Sequence, residues 1–314
     1  MKSSKKRQDV APVLKAEDYE AAIVIGFYVL QNREFDSNSS GVSNSIYQML
    51  KEHPEVLASG EKIARAILNK FPNLVNEQAV QFGRNTSKVS TFWLSHNASN
   101  PTPKTDILIG DMRFSLKIGL AQLMSGGKAE STATFYTALD KSDVEIESVA
   151  QCIKVNNILE DFVTASLAPT QLREIIKSGE NEIVNRGEAA HKEIMLELGL
   201  LFEQNSNFKI EFAREAMSGF QKFGESNLAA AEYMIATTHE GSHVSIHSVY
   251  DDDYCSIIAD EMRLQARFKT SSRKLMGKKT GEYKYWSVIS LIVNAMQTAG
   301  NSAIARTINN KVGV

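Results

Sequence analysis

Residues 102–139 read TPKTDILIGDMRFSLKIGLAQLMSGGKAESTATFYTAL, and the order of apolar runs and chain breakers in this stretch decides the fold class. Ile107–Ile109 and Met112–Ile118 are short apolar or alternating runs on either side of the turn pair Gly110-Asp111, which predicts a β-hairpin. Gly126-Gly127 then breaks the chain. From Glu130 onward Ala133, Phe135, Tyr136, Ala138 and Leu139 fit a helix with an acid in its first turn, where the helix dipole favours one. Strands followed by a helix, with strand-like runs returning near the C-terminus, predict an α/β chain of the α+β kind.

Asp106 opens the first strand, and Ser115 and Lys117, two apart on the second, share one of its faces. A hairpin brings these ends together. Metal-dependent hydrolysis of a phosphodiester needs carboxylates to hold one or two Mg²⁺ ions, a metal to polarise the phosphoryl oxygen and acidify water, and a cation near the attacking water. Asp106 and Lys117 supply the minimum.

These residues resemble the PD-(D/E)XK nuclease superfamily, in which an Asp precedes a strand ending in (D/E)-x-K. Thr105-Asp106 stands where Pro-Asp is expected, with Pro103 two residues before Thr105, and Ser115-Leu116-Lys117 carries a serine in place of the second acid. A variant among some restriction endonucleases has S-x-K followed, after a spacer, by a Glu on the next helix. Here twelve residues separate Lys117 from Glu130. The resemblance implies a restriction-endonuclease-like central mixed sheet flanked by helices, and cleavage of DNA with Mg²⁺, or Mn²⁺ in its place. Asp106 and Glu130 would hold the metal, Lys117 would stabilise hydroxide or transition-state charge, and Ser115 would fill the vacated acid position as a hydrogen-bond donor. Gln122, after the second strand, would contact substrate or position water. An ordinary surface hairpin with a capping glutamate accounts for the same residues without chemistry.

Upstream, Tyr19, Ala22, Ile23, Gly26, Phe27 and Leu30 recur at three and four, predicting a helix over residues 17–30. Nucleases of the resembled superfamily often aim a Glu from such a helix at the metal, and Glu20 is the residue placed for it, with Glu61 a rival. A polar loop over residues 32–44 precedes two helices, 45–51 and 59–71, the second with Ser59 as its N-cap.

Composition sets the outer bounds. The chain has 314 residues, 43% hydrophobic and 23% charged, as expected of a soluble protein with one large or two smaller domains. The longest apolar run, residues 21–30, falls short of the roughly 20 residues needed to cross a bilayer, so no membrane span is expected. The basic start MKSSKKRQDVAP lacks the apolar region of a signal peptide, and Cys152 and Cys255 are too few for a disulfide framework or a thiolate zinc site. An intracellular setting is expected. Phrases such as REAMSGFQKFG and RFKTSSRK are similar to proteins of large tailed phages, which implies the cytoplasm of an infected bacterium, or association with the virion.

With a net charge of −2, nucleic-acid binding must come from local patches. Residues 261–285 carry eight Lys or Arg and two Glu. Arg267 and Lys269 fall on one face of an alternating strand, and Arg273 and Lys274 lie in the Ser- and Lys-rich loop beyond it. These four, with Lys104 beside the hairpin, are the expected phosphate contacts. A solvated charged face is the plain alternative.

The chain divides into a basic arm (1–15), the N-terminal part of the core with the hairpin (16–142), a helical lobe (143–225) and a C-terminal part completing the core (226–314). Residues 229–237 are expected to continue a helix, HVSIHSVY to form a strand, 262–270 another, and 286–297 an apolar helix or strand and helix. His239-Glu240-Gly241-Ser242-His243 satisfies the H-E-x-x-H string of zinc peptidases, but Gly-Ser within it and the alternating run after it predict a turn entering a strand. Two further readings stay open: a DNA-associated virion or scaffold protein with a nuclease-like fold and no turnover, and the zinc peptidase. A homodimer is expected only by analogy with enzymes that cut both strands.

Overall fold

The first helix is buried on every side from Asp18 to Tyr28, a pattern that belongs to an element at the centre of a fold. This helix, α1 (Ala16–Leu30), starts where the Lys15 N–H donates to Asp18 Oδ2 at 2.8 Å, with Glu17 and Asp18 facing the positive end of the dipole. The computed structural model describes residues 14–123, 128–142, 202–261, 263–268, 283–284 and 287–294, together with positions 166, 167, 196 and 200. After α1 come α2 (Ser37–Ser40), α3 (Asn44–Lys51), α4 (Pro54–Lys70) and a 3₁₀ turn (Pro72–Asn76). Then follow β1 (Ala79–Gln81), α5 (Thr91–Ser95), β2 (Ile107–Ile109), β3 (Met112–Ile118), β4 (Leu120–Gln122) and α6 (Lys128–Lys141). The remainder comprises β5 (Ser166–Leu167), α7 (Ser206–Ser218), α8 (Phe220–Phe223), β6 (Tyr233–Thr237), β7 (Ser245–Ser248), α9 (Asp252–Glu261), β8 (Arg263–Phe268), β9 (Tyr283–Lys284) and β10 (Ser287–Asn294).

Five strands form one mixed sheet in the order β1-β2-β3-β6-β7. The predicted hairpin is β2 and β3, with Ile107 opposite Phe114 and Ile109 opposite Met112 around Gly110, whose φ of +55° suits a residue without a Cβ. All neighbours are antiparallel except β3 and β6, which run parallel from Phe114 beside Tyr233 to Ile118 beside Thr237. Alternation on β3 gives the sheet its two sides: Phe114 and Leu116 pack with α1 and α4, which leaves Ser115 and Lys117 on the other side. On the α1 side Ile23, Phe27, Ile63, Ile67, Ile107, Ile109 and Phe114 are fully enclosed, each contributing roughly 1.5–3 kcal/mol through burial. On the opposite side Met234 of β6 packs with Phe135 of α6, Phe208 and Phe212 of α7, and Tyr254 and Ile258 of α9.

α1 and α4 meet at glycine. A Cβ on Gly60 would lie 2.3 Å from the main-chain carbonyl of Ala22, and one on Gly26 would lie 2.8 Å from the Glu61 Cα. The two backbones are in direct contact.

Several expectations are corrected. Residues 229–237 do not continue a helix: β6 is an interior strand bonded to β3 and β7. α4 begins at Pro54, whose missing N–H costs nothing at a first helical position, so Ser59 lies inside the helix and caps nothing. β8 and β10 do not complete the five-stranded sheet but join β4 in a separate one, β4-β10-β8. β10 is a strand over Ser287–Asn294. Most of the expected helical lobe, like residues 1–13, lies outside the described residues. Among the described residues no helix is long and apolar enough to cross a membrane.

Candidate active site

Asp106 sits just ahead of β2, where three segments meet. Its N–H donates to Phe114 O at 2.8 Å, and its carbonyl accepts from Phe82 N (2.8 Å) and Gly83 N (3.0 Å), so the main chain is pinned from β1 and β3 together. The side chain is pinned as well. Oδ2 accepts the Leu116 N–H at 2.6 Å, standing in for a strand carbonyl, and the Ser115 hydroxyl at 3.0 Å.

Lys117 completes this arrangement from the same face of β3. Its ammonium donates to Ser115 Oγ at 2.7 Å and to Leu116 O at 3.1 Å, and stands 3.6 Å from Asp106 Oδ2. The Ser115 hydroxyl therefore accepts from the lysine and donates to the aspartate. A carboxylate could accept but not donate, so serine here links two ionic groups that an acid would set in competition.

Glu20 comes from α1 and is 6% exposed. Its Oε2 accepts from Gln81 Nε2 at 3.1 Å. Burial and the charge of Asp106 push its carboxyl up to about 8, against the opposing pull of the Gln81 bond and the Lys117 ammonium. Gly83 lies between the two acids: a Cβ there would stand 3.0 Å from Glu20 Oε2 and 3.4 Å from Asp106 Oδ1. Glu20, Asp106, Ser115 and Lys117 are thus brought to one place by α1, β2 and β3.

Glu130 is not with them. Its Oε2 accepts from Trp93 Nε1 (3.1 Å) and faces the Lys222 ammonium (3.2 Å), and its Oε1 accepts the Asn100 N–H (3.2 Å). The buried Trp93 and Lys222 and the Asn100 main chain thus engage both carboxylate oxygens of Glu130. The Lys104 ammonium donates to Leu123 O (2.6 Å) and Ala216 O (2.5 Å), so main-chain carbonyls occupy two of its donors, and burial, followed by the nearby Lys222 and Lys117 charges, lowers its pKa. Glu61 is half-buried and pairs with Arg65 at 2.8 Å. Gln122 lies on β4 and Arg267 on β8, but their side chains, like Lys269, Arg273 and Lys274 entirely, lie outside the described residues.

The H-E-x-x-H string is a turn. Gly241 and His243 have φ of +64° and +58°, Gly241 N–H bonds Thr238 O at 3.1 Å, and His239 packs on Tyr19 with ring centres 5.3 Å apart. The helix face that a zinc peptidase needs is not formed. Among the described residues no three acids, histidines or cysteines gather as a metal cluster, and the carboxylates at the site number two.

Comparison of the chain with protein-family models, with curated proteins and with solved structures returned no match. Sequence patterns pointed to Glu20, Asp106, Ser115 and Lys117, but not to Gln81 or Gly83, which reach the site only through the pairing of β1 with β2. No motif marks either residue.

Proposed function

We propose that this chain is a divalent-cation-dependent nuclease with a restriction-endonuclease-like core, hydrolysing DNA phosphodiesters at Glu20, Asp106, Ser115 and Lys117. The observation that carries this reading is the convergence of one helical acid, one acid at a strand start and an S-x-K strand, on a mixed sheet flanked by helices. The donor set suits Mg²⁺ or Mn²⁺. Magnesium is commonly held by one or two carboxylates, with water and substrate phosphate filling its remaining positions. Glycine at 83 lets the main chain lie against both acids where a Cβ would crowd Glu20 Oε2, and a divalent cation would relieve the Asp106 repulsion that, after burial, raises the Glu20 carboxyl.

Glu20 and Asp106 would hold the cation, which when bound supplies polarisation of a phosphoryl oxygen and acidification of water. The chain's own groups do the positioning. Leu116 N–H and Ser115 hydroxyl hold Asp106 Oδ2, with Oδ1 on the side of Gly83. Lys117, fixed through Ser115, offers a preorganised positive charge to the phosphate as negative charge builds on it.

A second reading, a DNA-associated protein without turnover, is favoured by one observation: Glu130 is engaged elsewhere and leaves two acids rather than three. Plasmid nicking under Mg²⁺ titration separates the two. Wild type should cut, and Lys117→Ala and Asp106→Asn should each lose about 10²-fold or more in rate. Cutting at wild-type rate by either variant refutes the assignment. Salt-sensitive DNA binding with no cation-stimulated cleavage by wild type establishes the second reading.

A further inference from the structure

Gln81 is the least conspicuous residue near the site, and its amide is partnered on one side only. It is 1% exposed. Nε2 donates to the Glu17 carbonyl at 2.7 Å and to Glu20 Oε2 at 3.1 Å. Both partners are acceptors, so the amide can be oriented in one sense alone, with NH₂ toward α1. The carbonyl Oε1 is then left buried with no hydrogen-bond partner, a condition it shares among the described residues only with Ser59 Oγ. Buried amide oxygens are nearly always met by a donor or an ion.

The position of Gln81 gives that oxygen a use. Gln81 pairs in the sheet with Ile107, the residue after Asp106, and the next two residues, Phe82 and Gly83, donate their N–H groups to the Asp106 carbonyl. Its NH₂ holds the very carboxylate oxygen that a Cβ on Gly83 would crowd. Gln81 is therefore held to Glu20 through its NH₂, and its main chain runs directly into the Phe82 and Gly83 N–H groups that hold Asp106.

We propose that Gln81 Oε1 is the third protein oxygen of the cation site, joining the carboxylates of Glu20 and Asp106. The inference rests on the nuclease reading above and extends it. A neutral carbonyl suits the position. Two carboxylates already balance a divalent charge, and a third acid beside two that repel each other would add repulsion without adding a needed charge. Hard oxygen donors of this kind select Mg²⁺, Mn²⁺ or Ca²⁺ over softer metals.

Mn²⁺ binding to the full chain, measured by calorimetry and by the rise in melting temperature on adding Mn²⁺, tests the proposal without using cleavage. Gln81→Met keeps the shape and loses the oxygen, and should weaken Mn²⁺ at least tenfold. Gln81→Glu keeps an oxygen but loses the NH₂ that holds Glu20, and should bind Mn²⁺ no more weakly than wild type. If Gln81 only clamps Glu20, both variants lose the same NH₂ and weaken Mn²⁺ alike. Equal weakening, or no weakening in Gln81→Met, overturns the inference.

Two further measurements keep the outcomes separate. Should the variants fail to fold, titration of the wild type with diamagnetic Mg²⁺ by NMR decides: the Gln81 side-chain carbonyl carbon must shift by the first equivalent, and an unmoved signal refutes the assignment. Glu20→Gln and Asp106→Asn identify which reading fails. If both abolish Mn²⁺ binding while Gln81→Met does not, this inference alone falls. If wild type binds no Mn²⁺, the nuclease reading falls with it.

Discussion

Replacing Glu130 with Gln removes the charge facing Lys222 while keeping the size of the side chain. The two partners expose only 11% and 3% of their side chains, so little water is at hand to take over. Removing one member of a buried ion pair costs about 3–5 kcal/mol, because the other is left charged and uncompensated. Glu215 also lies near Lys222 and offsets part of that, so a loss of about 3 kcal/mol is expected, at the low end of that range. The amide adds a second fault: Oε2 and Oε1 both accept from donors, and a glutamine can accept on one side only. Urea unfolding followed by tryptophan emission is the assay, because Trp93 donates its indole N–H to this carboxylate. Lys222→Met alone should cost a similar amount, and the double variant should recover about 2 kcal/mol of the sum. Cation binding should survive in all three. A Glu130→Gln protein within about 0.5 kcal/mol of wild type that no longer binds Mn²⁺ would refute the reasoning and return Glu130 to the site.

Gly60→Ala should lower stability by roughly 3 kcal/mol or more, since the new methyl meets main chain rather than a movable side chain; an unchanged melting temperature would contradict the close approach of α1 and α4. His247 offers a pH test. Burial, with the Lys70 ammonium, lowers its pKa to about 4, while the unfolded chain titrates near 6.5. The unfolded state takes up a proton that the folded state refuses, so stability should fall as pH drops from 6.5 to 4, by about 3 kcal/mol in all. His247→Gln should flatten that part of the pH profile, measured as urea midpoints at several pH values, and an equally steep profile would remove His247 as its cause.

The hairpin was legible because its turn pair and its alternation are both local. α1 and β7 were legible for the same reason, a period read over a few residues. β6 was not. It lies between β3 and β7, is covered on both faces, and comes after three alanines and a glutamate that favour a helix, so no alternation marks it off from one. The site divides along the same line. Asp106, Ser115 and Lys117 belong to one short stretch, and Glu20 to a helix whose period shows its buried side. Glu130 satisfied a spacing rule, yet its fate was set by Lys222, 92 residues further on, and by Trp93 from α5. Linear spacing carries no signal of an ion pair closed over that distance. Gln81 was silent for a different reason: an uncharged residue on a three-residue strand belongs to no pattern.

All the groups assigned to the chemistry lie between Glu20 and Lys117, yet β3, which carries two of them, becomes an interior strand only when β6 arrives beside it from Tyr233–Thr237. A piece of the chain ending at residue 142 would keep every side chain of the proposed site and leave one full edge of β3 bare, with its main-chain groups open to another molecule. Such a fragment should clump. The residues of the proposed site come early in synthesis, and the strand that covers β3 comes late, so a ribosome halted between the two would release a chain prone to sticking.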